Sequence, residues 1–168
     1  MEIYTSDPPA RERTGRIKVG IADLAVATGE SQLSTSGLGS CVGIALYDSR
    51  AGVSGLAHAM LPDGDGKDDA AKYVDTAIRT LVSEMEAEGA ARRRLRAKVA
   101  GGSTMFEFNS TDESVGERNV TAVRETLSAL DIPIDGMDVG GDHGRSLELD
   151  GGTGDLHVRS ASAGEHTL

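Results

Sequence analysis

Glycine punctuates this chain: 22 of its 168 residues are glycine, set between short apolar stretches. Glycine reaches backbone conformations closed to other residues, so the pattern predicts many tight turns joining short strands in stacked sheets. The aromatic share is 3%, with no Trp, so the core must be aliphatic, built from Val, Leu, Ile, Ala and Met. The same scarcity argues against a surface that stacks single-stranded bases.

Residues 1–16 are polar and proline-containing and read as a flexible lead-in. They carry Asp, Arg and two prolines where a signal peptide needs an apolar stretch, which predicts a cytoplasmic protein. One domain is expected over residues 17–159, followed by a flexible tail over 160–168. Ile17 to Ala27 suggests one or two strands, and Gly29 to Gly39 a Ser/Gly-rich connection. Val42 to Tyr47 reads as a buried strand, Asp48 to Gly52 as a hairpin turn, and Val53 to Met60 as the returning strand. Beyond the Pro, Gly and Asp-rich loop Leu61 to Asp69, the residues Tyr73, Ala77, Leu81 and Met85 fall on one helical stripe. Val74, Ile78 and Val82 widen it, and Gly89 stops it. Leu95 to Ala100 is a further strand. A second helix is signalled by Ser114 and Glu117, spaced as a capping box, with Val120, Val123, Leu127 and Leu130 on one face. Pro133 lies just past its end. Ile134 to Val139, Ser146 to Leu149 and Leu156 to Val158 read as short strands. A strand-rich order with two inserted helices defines an α+β protein.

Charge excludes further classes. Lys plus Arg total 17 against 27 Asp plus Glu, a formal −10, so a phosphate backbone would be repelled and no nucleic-acid partner is expected. The one basic stripe, Arg92, Arg93, Arg94 and Arg96, reads as a solvated loop between two elements. Only four residues are Lys, and an acidic, Lys-poor composition fits a protein kept soluble in a halophilic cytoplasm. No apolar run approaches the roughly 18 residues of a membrane span, so no direct insertion is expected.

The segment Thr35-Ser36-Gly37-Leu38-Gly39-Ser40-Cys41-Val42-Gly43 carries the most chemical information. It places the single cysteine, Cys41, where a glycine loop enters a strand. Gly37 and Gly39 allow successive N–H groups to point into one concavity, a nest able to hold the oxyanion formed when a thiolate attacks a carbonyl. The alternative is that Cys41 is a small buried hydrophobe at a strand start. A dinucleotide loop fails on spacing, because Val42 stands where a third glycine is required and a strand follows instead of a helix. If the two strands pair as a hairpin, opposed positions sum to about 100, which brings His58 to the Cys41 end of the ladder. The imidazole would then draw the thiol proton, depress the thiol pKa and speed alkylation at pH 6 beyond that of a free cysteine. His143 reads as a turn residue at the surface, His157 as part of an edge strand, and His166 as part of the tail. One Cys and scattered His residues do not make a metal site, and no metal or cofactor is expected.

Leu38-Gly39-Ser40-Cys41-Val42, Leu46-Tyr47-Asp48 and Gly55-Leu56-Ala57-His58-Ala59-Met60-Leu61-Pro62 together resemble the CheD family of chemoreceptor glutamine deamidases. The likeness continues through Lys98-Val99-Ala100-Gly101-Gly102-Ser103-Thr104-Met105-Phe106, Gly116-Glu117-Arg118-Asn119-Val120 and Asp138-Val139-Gly140-Gly141. Gly144-Arg145 and Thr153-Gly154 extend it, so that it spans roughly residues 17 to 159 in order. Ser103 stands where Ala is common, and the loop at Asp63 to Asp69 is unusually acidic.

The resemblance implies an α/β/β sandwich of stacked, mostly antiparallel sheets with two main helices, similar to the catalytic domain of the cytotoxic necrotizing factor toxins. It puts the nucleophile on Cys41, the histidine on His58 and a third active-site residue on Thr35. The implied reaction is hydrolysis of selected Gln side-chain amides of methyl-accepting chemotaxis proteins to Glu and ammonia. Backbone N–H groups of Ser40 and Cys41 are the expected oxyanion donors. Met105 and Phe106 are candidate apolar contacts for substrate or partner, or else ordinary core residues. The resemblance also implies a second partner, the CheY phosphatase CheC, and an alternative role as its regulatory partner with little catalysis. Either role places the protein at membrane-bound receptor arrays.

Overall fold

A buried backbone N–H or C=O must find a partner. In a computed structural model, the described residues (15–64, 69–104 and 114–168) meet that demand with ten strands and two α-helices. In chain order these are β1 Arg16–Lys18, β2 Asp23–Thr28, β3 Gln32–Leu38, β4 Val42–Asp48 and β5 Val53–Ala59. They continue with α1 Val74–Ala87, β6 Arg96–Gly101, α2 Val115–Ala129, β7 Ile134–Val139, β8 Arg145–Asp150, β9 Leu156–Ser160 and β10 Gly164–Thr167. Two five-stranded sheets result, ordered β1-β3-β8-β9-β10 and β2-β5-β4-β6-β7. All pairings are antiparallel except the edge pairs β1–β3 and β6–β7. The fold is an α+β sandwich in three layers: helices, second sheet, first sheet.

Side-chain alternation along β4 and β5 shows how the layers are held. Val42, Ile44 and Leu46 of β4, with Val53, Ala57 and Ala59 of β5, pack against Val74, Ala77, Ile78, Leu81, Val82 and Met85 of α1 and Val123 and Leu127 of α2. The intervening residues face the other way: Ala45 and Leu56 join Leu33, Leu38, Leu147, Leu149, Leu156 and Val158 between the sheets. Both strands are therefore covered on two faces, which is why they read as continuous apolar runs.

The hairpin forms as expected, with Asp48 Oδ1 accepting from the N–H groups of Arg50 and Ala51 and closing the turn. Its register pairs Gly43 with His58 and Val42 with Ala59, one residue from the expected opposition. Helix α2 carries the full capping box. Ser114 Oγ accepts from the Glu117 N–H, and the Glu117 carboxylate accepts from the Ser114 N–H.

Three expectations change. The connection expected over Gly29 to Gly39 contains β3, which pairs with both β1 and β8. Gly164–Thr167, expected to be part of a flexible tail, forms β10 on β9. Leu168 exchanges backbone hydrogen bonds with Leu156 and packs between the sheets, while Lys98 Nζ donates to its carbonyl at 2.9 Å. These bonds satisfy a polar segment whose side chains give no strand signal. His157 accordingly lies in an interior strand, flanked by β8 and β10, and not at an edge. Met105 and Phe106 lie outside the described residues.

Candidate active site

Position 58 of β5 shares its sheet face with Leu56, so the His58 ring enters the space between the sheets. The Gly43 position opposite lets the facing sheet come close: a Cβ there would lie 2.4 Å from Leu147 Cδ1. From the facing sheet, Thr35 of β3 meets the ring, with Oγ1 2.7 Å from His58 Nδ1. Both residues are buried, His58 at 0% and Thr35 at 6% exposure. Immediately after Thr35 the β3–β8 register slips, and Gly37 takes φ +76°. Such a bulge re-aims a strand, here turning the chain from the first sheet toward Cys41 and the start of β4. Of the two glycines singled out from sequence, only Gly37 adopts the left-handed conformation.

Cys41 is half-buried, and its side chain packs against the same inter-sheet cluster that surrounds Leu56 and Leu38. The thiol and the imidazole thus occupy one face of the β4–β5 pair, one pleat apart in register. With Nδ1 engaged by Thr35, the buried Nε2 has no other hydrogen-bond partner among the described residues. A buried ring nitrogen left this way is costly and calls for an occupant.

The electrostatics run against one expectation. Burial pushes the Cys41 thiol above its ordinary 9.0, only partly offset by a hydrogen bond from its own backbone N–H. Burial likewise pushes His58 below 6.5. Desolvation disfavours both charged forms, a direction opposite to the depressed thiol pKa expected from sequence.

The loop that carries the thiol is pinned on its carbonyl side. Gly39 O accepts from the Ser103 N–H at 2.9 Å, and Cys41 O from the Gly102 N–H at 2.8 Å. Between them, Ser40 O accepts from Asn119 Nδ2 at 2.8 Å, and the same nitrogen donates to Met60 O at 3.0 Å. Sequence reading quoted Asn119 within a motif but gave it no role. The signal was present: an amide at the i−4 position to Val123, on the apolar face of an amphipathic helix.

The remaining histidines have other partners. His166 Nε2 lies 3.0 Å from Asp138 Oδ2, and His157 Nδ1 lies 2.8 Å from Thr167 Oγ1. His143, expected at the surface, is largely covered, with a 20% exposed side chain 3.9 Å from Asp142. Among the described residues, no three His, Cys, Asp or Glu side chains are grouped to hold a metal. The basic stripe is a single 3-10 turn, Arg92–Arg94, leading into β6. Three of its arginines are paired, Arg92 with Glu86, Arg94 with Asp48 and Arg96 with Asp135. No helix among the described residues is long and apolar enough to cross a membrane.

Fold and site together define the class: a three-layer α+β sandwich with a loop cysteine and a threonine-tethered histidine on one inter-sheet face. A crystal structure of a Neisseria meningitidis protein of family DUF152 shares this fold. Its TM-score is 0.50 at 12% identity, covering 77% of this chain and 63% of that one. A family model described as CheD chemotactic sensory transduction matches residues 60–160. The chain is 46% identical to a probable chemoreceptor glutamine deamidase CheD of Haloarcula marismortui, over 100% of both chains. It is 46% identical to the protein of the same description from Natronomonas pharaonis, over 96% of this chain and 98% of that one. With the chemoreceptor glutamine deamidase CheD of Bacillus subtilis it shares 45% identity over 90% of this chain and 95% of the other. The chain belongs to the CheD family.

Proposed function

We propose that this protein is a chemoreceptor glutamine deamidase, hydrolysing selected Gln side chains of methyl-accepting chemotaxis proteins to Glu and ammonia. The observation that carries the reading is the 2.7 Å Thr35–His58 contact, which leaves a buried Nε2, unpartnered among the described residues, on the face shared with Cys41. The descriptions of the full-length relatives supply the substrate class.

A carboxamide is a poor electrophile, so the reaction needs a strong nucleophile and a site for the developing oxyanion. Thr35 holds His58 with the Nδ1 proton directed at Oγ1, so that the Nε2 lone pair is free. Nε2 takes the Cys41 proton as the sulfur attacks the amide carbon, and the carbonyl oxygen becomes an oxyanion facing the Ser40 and Cys41 N–H groups. The imidazolium then gives its proton to the departing nitrogen; the C–N bond breaks, ammonia leaves, and the acyl group stays on Cys41 as a thioester. Neutral His58 next takes a proton from water, whose oxygen attacks the thioester. Glu is released, and the thiol regains its proton. Each turnover adds one negative charge to a receptor helix, and like-charge repulsion between packed helices shifts the signalling balance.

The same reading places the protein at receptor arrays, with the CheC phosphatase as a second partner. The test is mass spectrometry of a receptor cytoplasmic fragment incubated with this protein or its Cys41→Ala variant. The wild type should add about 1 Da per modified site, and the variant should be slower by ~10³-fold or more. Equal conversion by both proteins overturns the enzymatic reading. No conversion by either, with CheC still bound and stimulated, leaves the regulatory role in its place.

A further inference from the structure

We infer that Asn119 is a positioning residue for the oxyanion site, acting through the Ser40–Cys41 peptide. The inference rests on the deamidase reading and deepens it. A trans peptide is planar, with its N–H directed opposite its C=O. Whatever holds the Ser40 carbonyl therefore sets the direction of the Cys41 N–H. The carbonyls of Gly39, Ser40 and Cys41 are all tied back to the protein body. The first and third are held by backbone N–H groups of Ser103 and Gly102, which no side-chain substitution removes. The second is held by a side chain, Asn119 Nδ2 at 2.8 Å. Of the two peptides whose N–H groups are assigned to the oxyanion, the Ser40–Cys41 peptide is thus the one whose orientation depends on a single replaceable group.

Two further observations assign Asn119 to the site and not to packing alone. Its Nδ2 also donates to Met60 O at 3.0 Å, two residues beyond His58. One amide nitrogen therefore joins the loop carrying the thiol to the end of the strand carrying the base. Facing two carbonyls, the amide can only present its nitrogen, since its oxygen would be repelled there. Its Oδ1 is consequently left buried without a partner among the described residues, in a residue of 0% exposure. Along the same helix face Val123 and Leu127 are apolar, and an aliphatic residue at 119 would leave no orphaned oxygen. Burying an unsatisfied carbonyl costs about 1–3 kcal/mol, a cost explained by a donor that must hold Ser40.

The experiment pairs turnover with a reaction at the same sulfur that forms no oxyanion. Asn119→Leu keeps the branched heavy-atom shape and removes both donors. Deamidation of the receptor fragment should fall in kcat by on the order of 10–100-fold, with KM within about twofold. Alkylation of Cys41 by iodoacetamide at alkaline pH should stay within about twofold of wild type, because displacement at a saturated carbon needs no oxyanion donor. If turnover and alkylation fall together, Asn119 merely supports the structure and the inference is overturned. Unchanged kcat overturns it as well.

Asn119→Asp serves where the leucine variant does not fold. A carboxylate cannot donate to Ser40 O, whereas a carboxyl can. Its kcat relative to wild type should therefore rise as pH is lowered, and a ratio independent of pH contradicts the positioning role. Wild-type turnover in the same assay separates the two ideas: without it the deamidase reading fails and takes the inference with it.

Discussion

In the proposed mechanism His58 is a base made by its surroundings. Burial lowers its pKa from 6.5, and the Thr35 hydroxyl at 2.7 Å engages Nδ1, which leaves Nε2 as the nitrogen to accept a proton. The sign of the pH dependence follows. The reaction needs neutral imidazole to accept the Cys41 proton, and burial keeps the imidazole neutral to lower pH than a free histidine. The acid limb of kcat/KM should therefore have its midpoint below 6.5. A limb at or above 6.5 would contradict an imidazole kept neutral by burial. The raised thiol pKa points the same way, since it leaves little thiolate near neutrality.

At the scale of elements, the β4–β5 hairpin is anchored at the end remote from the site by one carboxylate. Asp48 is 0% exposed and accepts from the N–H groups of Arg50, Ala51 and Ala91 and from Arg94 Nε. Burial alone would raise its pKa, but Arg94 and the amides outweigh it and hold the carboxyl at about 2, below its ordinary 3.8. Its contribution to stability is thus complete above 3.8 and is lost as pH falls toward about 2. Asp48→Asn should lower the unfolding free energy by about 2 kcal/mol at neutral pH in urea titration. The difference from wild type should shrink on acidification, and a difference that does not change with pH would contradict the assignment.

This hairpin was legible in sequence because two apolar runs flank a turn rich in Asp and Gly. The second helix was legible for a similar reason, since Ser114 and Glu117 announce its start. Strand β3 was hidden because Gln32–Leu38 turns polar residues inward: Thr35 occupies a core-facing position because it must reach His58. The trio itself came from the resemblance, with the hairpin register supporting Cys41 and His58. Asn119 was overlooked because its partners are backbone carbonyls, which no side-chain pattern reveals. Strand β10 was missed because its pairing uses backbone groups alone and its four residues are exposed.

At the scale of the whole molecule, a formal charge of −10 on 168 residues works against compaction by self-repulsion. Salt shortens the Debye length from about 10 Å at 0.1 M to about 3 Å at 1 M. The melting temperature should therefore rise by at least about 5 °C between ~0.1 M and ~2 M KCl; a flat or falling melting temperature would show that the acidic surface carries no such penalty.

The same acidic surface offers an acidic receptor no general attraction, so turnover must come from the site itself. A thioester made there partitions between water and any stronger nucleophile. The most direct test is to add hydroxylamine during turnover of a receptor fragment and follow the glutamine positions by mass spectrometry. Wild type should yield glutamyl hydroxamate at the sites it otherwise converts to Glu, and Cys41→Ala should yield neither product. Conversion to Glu that proceeds equally in the variant, with no hydroxamate from either protein, would contradict attack by the Cys41 sulfur.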